Sequence, residues 1–198
     1  MSPLLIVIAY LFGSIPVGVI VGRARGFDPR KTGSGNVGMT NVARSGGGGA
    51  AAITFAGDIL KGFVPVMVAR TAHLDTAALA MVGLAALLGS VFSIFLRFEG
   101  GRGVSTSLGV WLALAPTPIL IAMGVFAVVF AARRIMSLAS IAATVSLPVA
   151  VASLSLPAEY VALAGAMSAL VLWRHRANIG RLMRGQEPTF KLGGRPAG

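Results

Sequence analysis

Seven apolar runs, at about 3–22, 52–72, 77–96, 104–115, 117–132, 137–155 and 157–173, dominate this 198-residue chain. Several approach the roughly 20 residues that an α-helix needs to cross the hydrocarbon core of a bilayer. With 56% hydrophobic and only 12% charged residues, the chain reads as an all-α, polytopic integral membrane protein, one membrane-embedded domain over residues 1–198. Its 26 glycines supply the small side chains that let spanning helices approach closely. The first run lacks a basic leading segment, is too long for a signal peptide and is followed by arginines, so it reads as a retained span.

Charge placement decides the topology. Val104 to Ala132 has the length of one helix, but Ala115-Pro116-Thr117-Pro118 lies in its middle, and two prolines remove two backbone donors. A turn there gives seven spans. With the N-terminus outside, the inner loops and a cytoplasmic C-terminus then hold Arg23, Arg25, Arg30, Lys31, Arg44, Arg97, Arg102, Arg133, Arg134 and the six basic residues from Arg174 to Arg195. Only Lys61 and Arg70 of the 17 basic residues fall elsewhere. A single span over 104–132 would move Arg133, Arg134 and everything after the last run outside, against the positive-inside rule. The fourth span, at about 12 residues and roughly 18 Å, is expected to be short, tilted and wedged among its neighbours. The net charge of +11 follows from the same rule and from anionic headgroups, so membrane lipid is the expected partner and nucleic acid is not.

Three polar segments repeat one chemistry of small residues, amides and arginine. The first is Gly33-Ser34-Gly35-Asn36-Val37-Gly38-Met39-Thr40-Asn41-Val42-Ala43-Arg44, in a long loop 23–49. The second is Phe98-Glu99-Gly100-Gly101-Arg102-Gly103-Val104-Ser105-Thr106, and the third is Arg174-His175-Arg176-Ala177-Asn178-Ile179-Gly180-Arg181-Leu182. Glycines let backbone N–H groups approach a ligand, and arginine forks match phosphate oxygens. Three such segments on one side of a membrane point to an anion, a phosphate ester above all, handled at the bilayer surface.

Other features sort into structural and ligand roles. Gly46 to Gly49 read as a flexible hinge or linker. Asp58 and Lys61, three apart in the second run, read either as a mutual ion pair near the headgroup level or as direct ligand groups, and a paired Lys61 still adds positive potential. Arg102 stands between glycines just before a helix start, a place suited to an anion. Helical spacing puts Arg174, Asn178 and Arg181 on one face, with His175 beside Asn178. Arg97 and His73 receive no role. With no cysteine and two distant histidines, no metal site and no cofactor emerge, and no acid accompanies His175 as a triad would require.

At these residues a resemblance becomes specific. The first segment, then Asp58-x-x-Lys61-Gly62, then Gly89 with Phe98-x-Gly100-Gly101-Arg102-Gly103-Val104, then Arg174-His175-x-x-Asn178-Ile179-x-Arg181-Leu182 with Gly185-x-Glu187, resemble in order the bacterial acyl-phosphate:glycerol-3-phosphate acyltransferase family. Leu11-Phe12-Gly13-Ser14-Ile15-Pro16 and Ser137-Leu138-Ala139-Ser140 are also similar to its pattern. The resemblance implies a seven-helix enzyme of the bacterial inner membrane, with its site facing the cytoplasm. Such enzymes move a fatty acyl group from acyl phosphate to the 1-hydroxyl of glycerol 3-phosphate, releasing lysophosphatidic acid and phosphate without acyl-CoA or a metal. Two positions depart: Ser90 stands where the family usually has His, and Arg102 where it usually has Lys.

Carried onto this chain, the resemblance makes Ser34, Arg44, Arg102, His175 and Asn178 the catalytic candidates. Gly35, Asn36, Gly38, Thr40, Asn41, Lys61, Gly101, Gly103, Ser105, Thr106, Arg181 and Glu187 become substrate contacts. Acyl phosphate is an activated mixed anhydride, so positioning and charge stabilisation are the expected contributions. Ser34, Asn178 or the glycine-rich backbone would donate to the carbonyl oxygen as it becomes negative. The proton passes either to His175 or, as the favoured option, to an oxygen of the acyl phosphate itself. Two other readings compete. A transporter of an anionic metabolite predicts a midplane site and an internal repeat, and a weakened relative would bind phospholipid precursors without turnover.

Overall fold

A computed structural model describes residues 3–190. Their regular structure is helical: α1 (Pro3–Gly13), α2 (Val17–Ala24), α3 (Met39–Thr71), α4 (Thr76–Val91), α5 (Val104–Leu114), α6 (Pro116–Arg133), α7 (Met136–Ser153), α8 (Ala158–Arg174) and α9 (Arg176–Met183). Five stretches are long and apolar enough to cross a membrane: Pro3–Ala24, Met39–Thr71, Thr76–Leu96, Pro116–Arg133 and Met136–Ser153. Lys191 and Arg195, counted above among the inner charges, lie outside the described residues, as do residues 1–2 and the rest of the C-terminus.

The first apolar run is not one helix. It breaks at Ser14-Ile15-Pro16, because Pro16 lacks an N–H and disfavours helical geometry at Ile15. Carbonyls freed by the break need partners. The Ser93 hydroxyl donates to the Ser14 carbonyl, and Lys61 Nζ donates to the Ile15 carbonyl at 3.1 Å. Two elements distant in sequence thus hold the break open.

Loop 23–49 is also shorter than expected. Helix α3 starts at Met39, so Thr40, Asn41 and Arg44 are helical. Asn36 Oδ1 accepts the Gly38 N–H at 2.8 Å just before that start. Gly46 to Gly49 are no linker: they continue α3 through a kink at Gly47, whose φ of 73° and ψ of −177° depart from helix. A side chain at Gly46 would meet the Phe27 ring, so the small residue serves packing there.

Helix α5 covers the fourth apolar run and is as short as that run suggests. At 11 residues it is about 16 Å long, and eight of its residues are buried. Small residues seat it against α3: a Cβ on Gly62 would strike the Thr106 carbonyl, and one on Gly109 the Ile59 carbonyl. The core centres here, with Trp111 fully buried and edge-on to Tyr160 at 6.0 Å. The expected Pro-Thr-Pro turn contracts to one extended residue, Ala115, and α6 begins at Pro116 itself. Both prolines fall in its first turn, where a missing N–H costs little. The last motif is likewise split, since α8 ends at Arg174 and α9 starts at Arg176.

Candidate active site

The three polar segments and the ends of α1, α4, α7 and α8 surround one cavity of about 400 Å³. It is built wall by wall from short-range hydrogen bonds. In the first wall Asn41 is the clasp: its Nδ2 donates to the Pro29 and Thr32 carbonyls at 2.7 and 3.0 Å, and its Oδ1 accepts the Ser34 N–H at 2.9 Å. Three of the four bonds an amide can form therefore hold the loop. Asn41, expected as a substrate contact, lines the cavity but works on the protein itself. Gly35 does not line the cavity; its φ of +71° turns the chain. Ser34, Asn36, Gly38 and Thr40 line it, as does Arg44, one helical turn beyond Asn41.

The second wall is the glycine loop before α5. The N–H groups of Gly100 and Gly101 donate to the carbonyls of Val91 and Ser90, each at 3.0 Å, and so staple the loop to the end of α4. Arg174 grips it from the other side, donating to the carbonyls of Gly100 and Gly101 at 2.7 and 3.2 Å. Arg174 thus leaves the face shared with Asn178 and Arg181 and acts as a brace. Gly103, at φ +83°, starts α5. Gly101, Arg102, Gly103, Ser105 and Thr106 all line the cavity.

Glu187 organises the third wall. After α9, Gly185 at φ +66° reverses the chain and the Phe190 N–H reaches the Arg134 carbonyl at 2.7 Å. This fold-back brings a nearly buried carboxylate into the site, accepting from Ser137 Oγ at 2.7 Å, Asn178 Nδ2 at 2.5 Å and Arg181 Nε at 2.7 Å. Burial raises the Glu187 pKa, but these three donors outweigh it and hold the carboxyl below its ordinary value. A carboxylate only accepts, so Asn178 must turn Nδ2 toward it. Asn178 Oδ1 is left buried without a partner among the described residues. Asn178, expected as a donor, gives one of its two Nδ2 hydrogens to Glu187, and its amide oxygen is a second feature, an unpartnered acceptor.

His175 sits beside it, 2% exposed, with Nδ1 2.8 Å from the Val171 carbonyl. Since a carbonyl cannot donate, Nδ1 carries the proton and Nε2 keeps its lone pair. Burial is the main reason its pKa drops to about 4; Arg102 and Arg174 act in the same direction, against the Val171 carbonyl and Glu187.

Charge in the cavity is uneven. Arg44, Lys61, Arg102 and Arg181 face it with Asp58 and Glu187, a surplus of two positive charges. Lys61 is paired with Asp58 at 2.8 Å, one of the two roles the spacing allowed, and Arg181 with Glu187. Arg44 and Arg102 make no hydrogen bond to the described residues. Burial, and to a lesser extent the neighbouring Arg181, Arg174 and Arg44, lower the Arg102 pKa, while Glu187 opposes them. Two guanidinium forks thus stand ready for oxygens that the described residues do not supply.

Beside the polar cavity lies an apolar cleft of about 150 Å³ between α3, α5, α6, α7 and α8. The two share Phe55, Val104, Ser105 and Phe126. From Phe126 the cleft runs to the buried Ile119, Leu147 and Met167, roughly 10 Å along α6. Phe55, Phe126, Ser90 and Ser93 carry no role in the motifs. In the sequence the two phenylalanines are indistinguishable from lipid-facing residues, while Ser90 and Ser93, two hydroxyls three apart in an apolar run, are the polar signal that marks this end of α4.

Comparison with known proteins agrees with this architecture. A protein-family model described as glycerol-3-phosphate acyltransferase matches residues 3–185. The glycerol-3-phosphate acyltransferase of Rubrobacter xylanophilus is 47% identical over 198 residues, covering 98% of this chain and 97% of its own. Among solved structures, PlsY (YgiH), an integral membrane glycerol 3-phosphate acyltransferase in its glycerol 3-phosphate form, superposes with a TM-score of 0.91 at 40% identity, covering 95% of this chain and 94% of its own. Its lysophosphatidic acid form gives a TM-score of 0.89 at 39% identity over 96% and 95% of the two chains. The multi-pass membrane protein described here belongs to the glycerol-3-phosphate acyltransferase family.

Proposed function

We propose that this protein transfers a fatty acyl group from acyl phosphate to the 1-hydroxyl of glycerol 3-phosphate, at the cytoplasmic face of a bacterial inner membrane. The observation that carries this reading is a cationic cavity, with two arginines whose guanidiniums bond to no described residue, that continues into an apolar cleft. A phosphate ester fits the first and a fatty chain the second. The solved relatives, described in glycerol 3-phosphate and lysophosphatidic acid forms, support the same pairing of acceptor and product. We read the chain as one domain with seven crossings: α1 with α2, then α3 to α8 in turn. The N-terminus lies outside, and the Arg-rich segments that meet at the cavity lie inside.

In this mechanism Arg44 and Arg102, helped by Lys61 and Arg181, neutralise the phosphates. Asn178 Oδ1 and His175 Nε2 are two acceptors, and glycerol 3-phosphate brings two hydroxyls. Together they orient the 1-hydroxyl, whose oxygen attacks the acyl carbonyl carbon while the carbon–oxygen bond to phosphate breaks. Ser34 and the free N–H groups at the start of α5 stabilise the oxyanion. The hydroxyl proton goes to the departing phosphate. An imidazole whose pKa is about 4 is a poor base near neutrality, so His175 orients rather than deprotonates.

The test is phosphate release by protein in detergent or lipid, with palmitoyl phosphate and glycerol 3-phosphate. Release must require both substrates; release from palmitoyl phosphate alone would mark a hydrolase instead. Two further outcomes are expected. His175→Gln keeps a hydrogen-bond acceptor and is expected to retain turnover within about tenfold, far less than the 10²–10⁴-fold loss of a general base. His175 also gives the pH dependence a sign. Its folded pKa of about 4 lies below the ordinary 6.5, so the stability linked to its neutral form is complete above pH 6.5 and lost as pH falls toward 4. Wild-type activity between pH 7 and 8 should therefore show no histidine inflection. In the cleft, Ala122 is buried, and Ala122→Phe would fill the space it borders. Its kcat/KM for palmitoyl phosphate is expected to fall about tenfold or more, from overpacking of roughly 1–3 kcal/mol, with little loss for octanoyl phosphate.

A further inference from the structure

We propose that Ser90 is a further substrate contact, its hydroxyl donating to a phosphate oxygen in the cavity; the inference rests on the phosphate-ester reading above. Ser90 occupies the last turn of α4, lines the cavity and is 6% exposed. Thr106 Oγ1, from the first turn of α5, donates to Ser90 Oγ at 2.9 Å. One hydrogen bond between two hydroxyls uses one of their two protons; with Thr106 as the donor, that of Ser90 is left for a ligand. No described residue accepts it. Elsewhere in this protein helical hydroxyls turn back onto the carbonyl four residues earlier, as Ser14, Thr54, Ser140 and Thr144 do. Ser90 does not make that bond; its oxygen faces Thr106 on the opposite helix.

The rest of the geometry fixes what the free proton can meet. The Ser90 carbonyl accepts the Gly101 N–H at 3.0 Å, so Ser90 and Arg102 belong to one stapled unit, and both line the cavity. The two carboxylates that also line it are paired, Asp58 with Lys61 and Glu187 with Arg181. The surplus positive charge selects an anion, and a hydroxyl beside a guanidinium matches two oxygens of one phosphate. That phosphate belongs either to glycerol 3-phosphate or to acyl phosphate.

Steady-state kinetics of Ser90→Ala, with each substrate varied in turn, separate the two sources. Loss of a hydrogen bond to a charged group is expected to raise the KM of one substrate about tenfold or more while kcat stays within about twofold. The substrate affected identifies the phosphate. Unchanged KM values, an equal rise in both, or a fall in kcat alone would overturn the inference, since a distorted loop gives such unlocalised losses. Ser90→Cys, close in size and a weak donor, is expected to reproduce the selective rise if the alanine variant does not fold. Calorimetric titration with inorganic phosphate reads the same contact without turnover: Ser90→Ala should weaken binding about tenfold, and an unchanged Kd would sink the proposal. Wild-type protein that binds phosphate but forms no lysophosphatidic acid would count against the reaction and leave this contact standing.

Discussion

Arg44→Ala protein is expected to release phosphate from palmitoyl phosphate and glycerol 3-phosphate about 10²–10³-fold more slowly than wild type, with an unchanged unfolding temperature. The magnitude is that of removing a preorganised donor to developing charge. The unchanged stability follows from what Arg44 does not touch: its guanidinium bonds to no described residue, while the loop it follows is held by Asn41 three residues earlier. Arg44→Lys should recover only part of the rate, because a point charge replaces a planar fork. Thermal unfolding of both variants alongside initial rates checks the prediction. A variant that loses rate and stability together would make Arg44 a structural residue.

Gly100→Ala is expected to be as damaging by a different route. A Cβ there would fall on the Ser90 carbonyl oxygen and lie 2.7 Å from that of Val91. Both are backbone atoms of the last turn of α4 and already accept from the loop, so neither side can yield. The loop would have to lift, moving Arg102 and the carbonyls held by Arg174. A displacement near 1 Å at a positioning group costs about 10²-fold in rate, and overpacking adds roughly 1–3 kcal/mol of lost stability. At Gly101 the nearest atoms to an added Cβ are 3.9 Å away, an ordinary contact, so Gly101→Ala should lose much less. Phosphate release and unfolding temperature, measured side by side, distinguish the two glycines. Equal losses would contradict the steric account.

How far the sequence alone reached follows from the kind of signal each element carries. Apolar runs and prolines located the helices, because spanning length and missing backbone donors act locally. The short α5 was legible from the same two facts. The break in the first run was not, since Ser14-Ile15-Pro16 looks like the end of a helix until Lys61 and Ser93 are seen satisfying its carbonyls from 46 and 79 residues away. Motif composition collected about half of the cavity residues, and it could not separate those that meet the cavity from those that build it. Asn41 and Arg174 have the polarity of ligand contacts, and only the direction of their hydrogen bonds shows them holding loops. The acceptor role of Asn178 depends in turn on Glu187, nine residues on and brought back by Gly185.

That fold-back also ties distant helices to one another. The last apolar helix ends at Arg174, and Glu187 returns from beyond α9 to accept from Ser137 at the start of α7. A single carboxylate thus joins α7 to α9, and Glu187→Ala would release Ser137, Asn178 and Arg181 together.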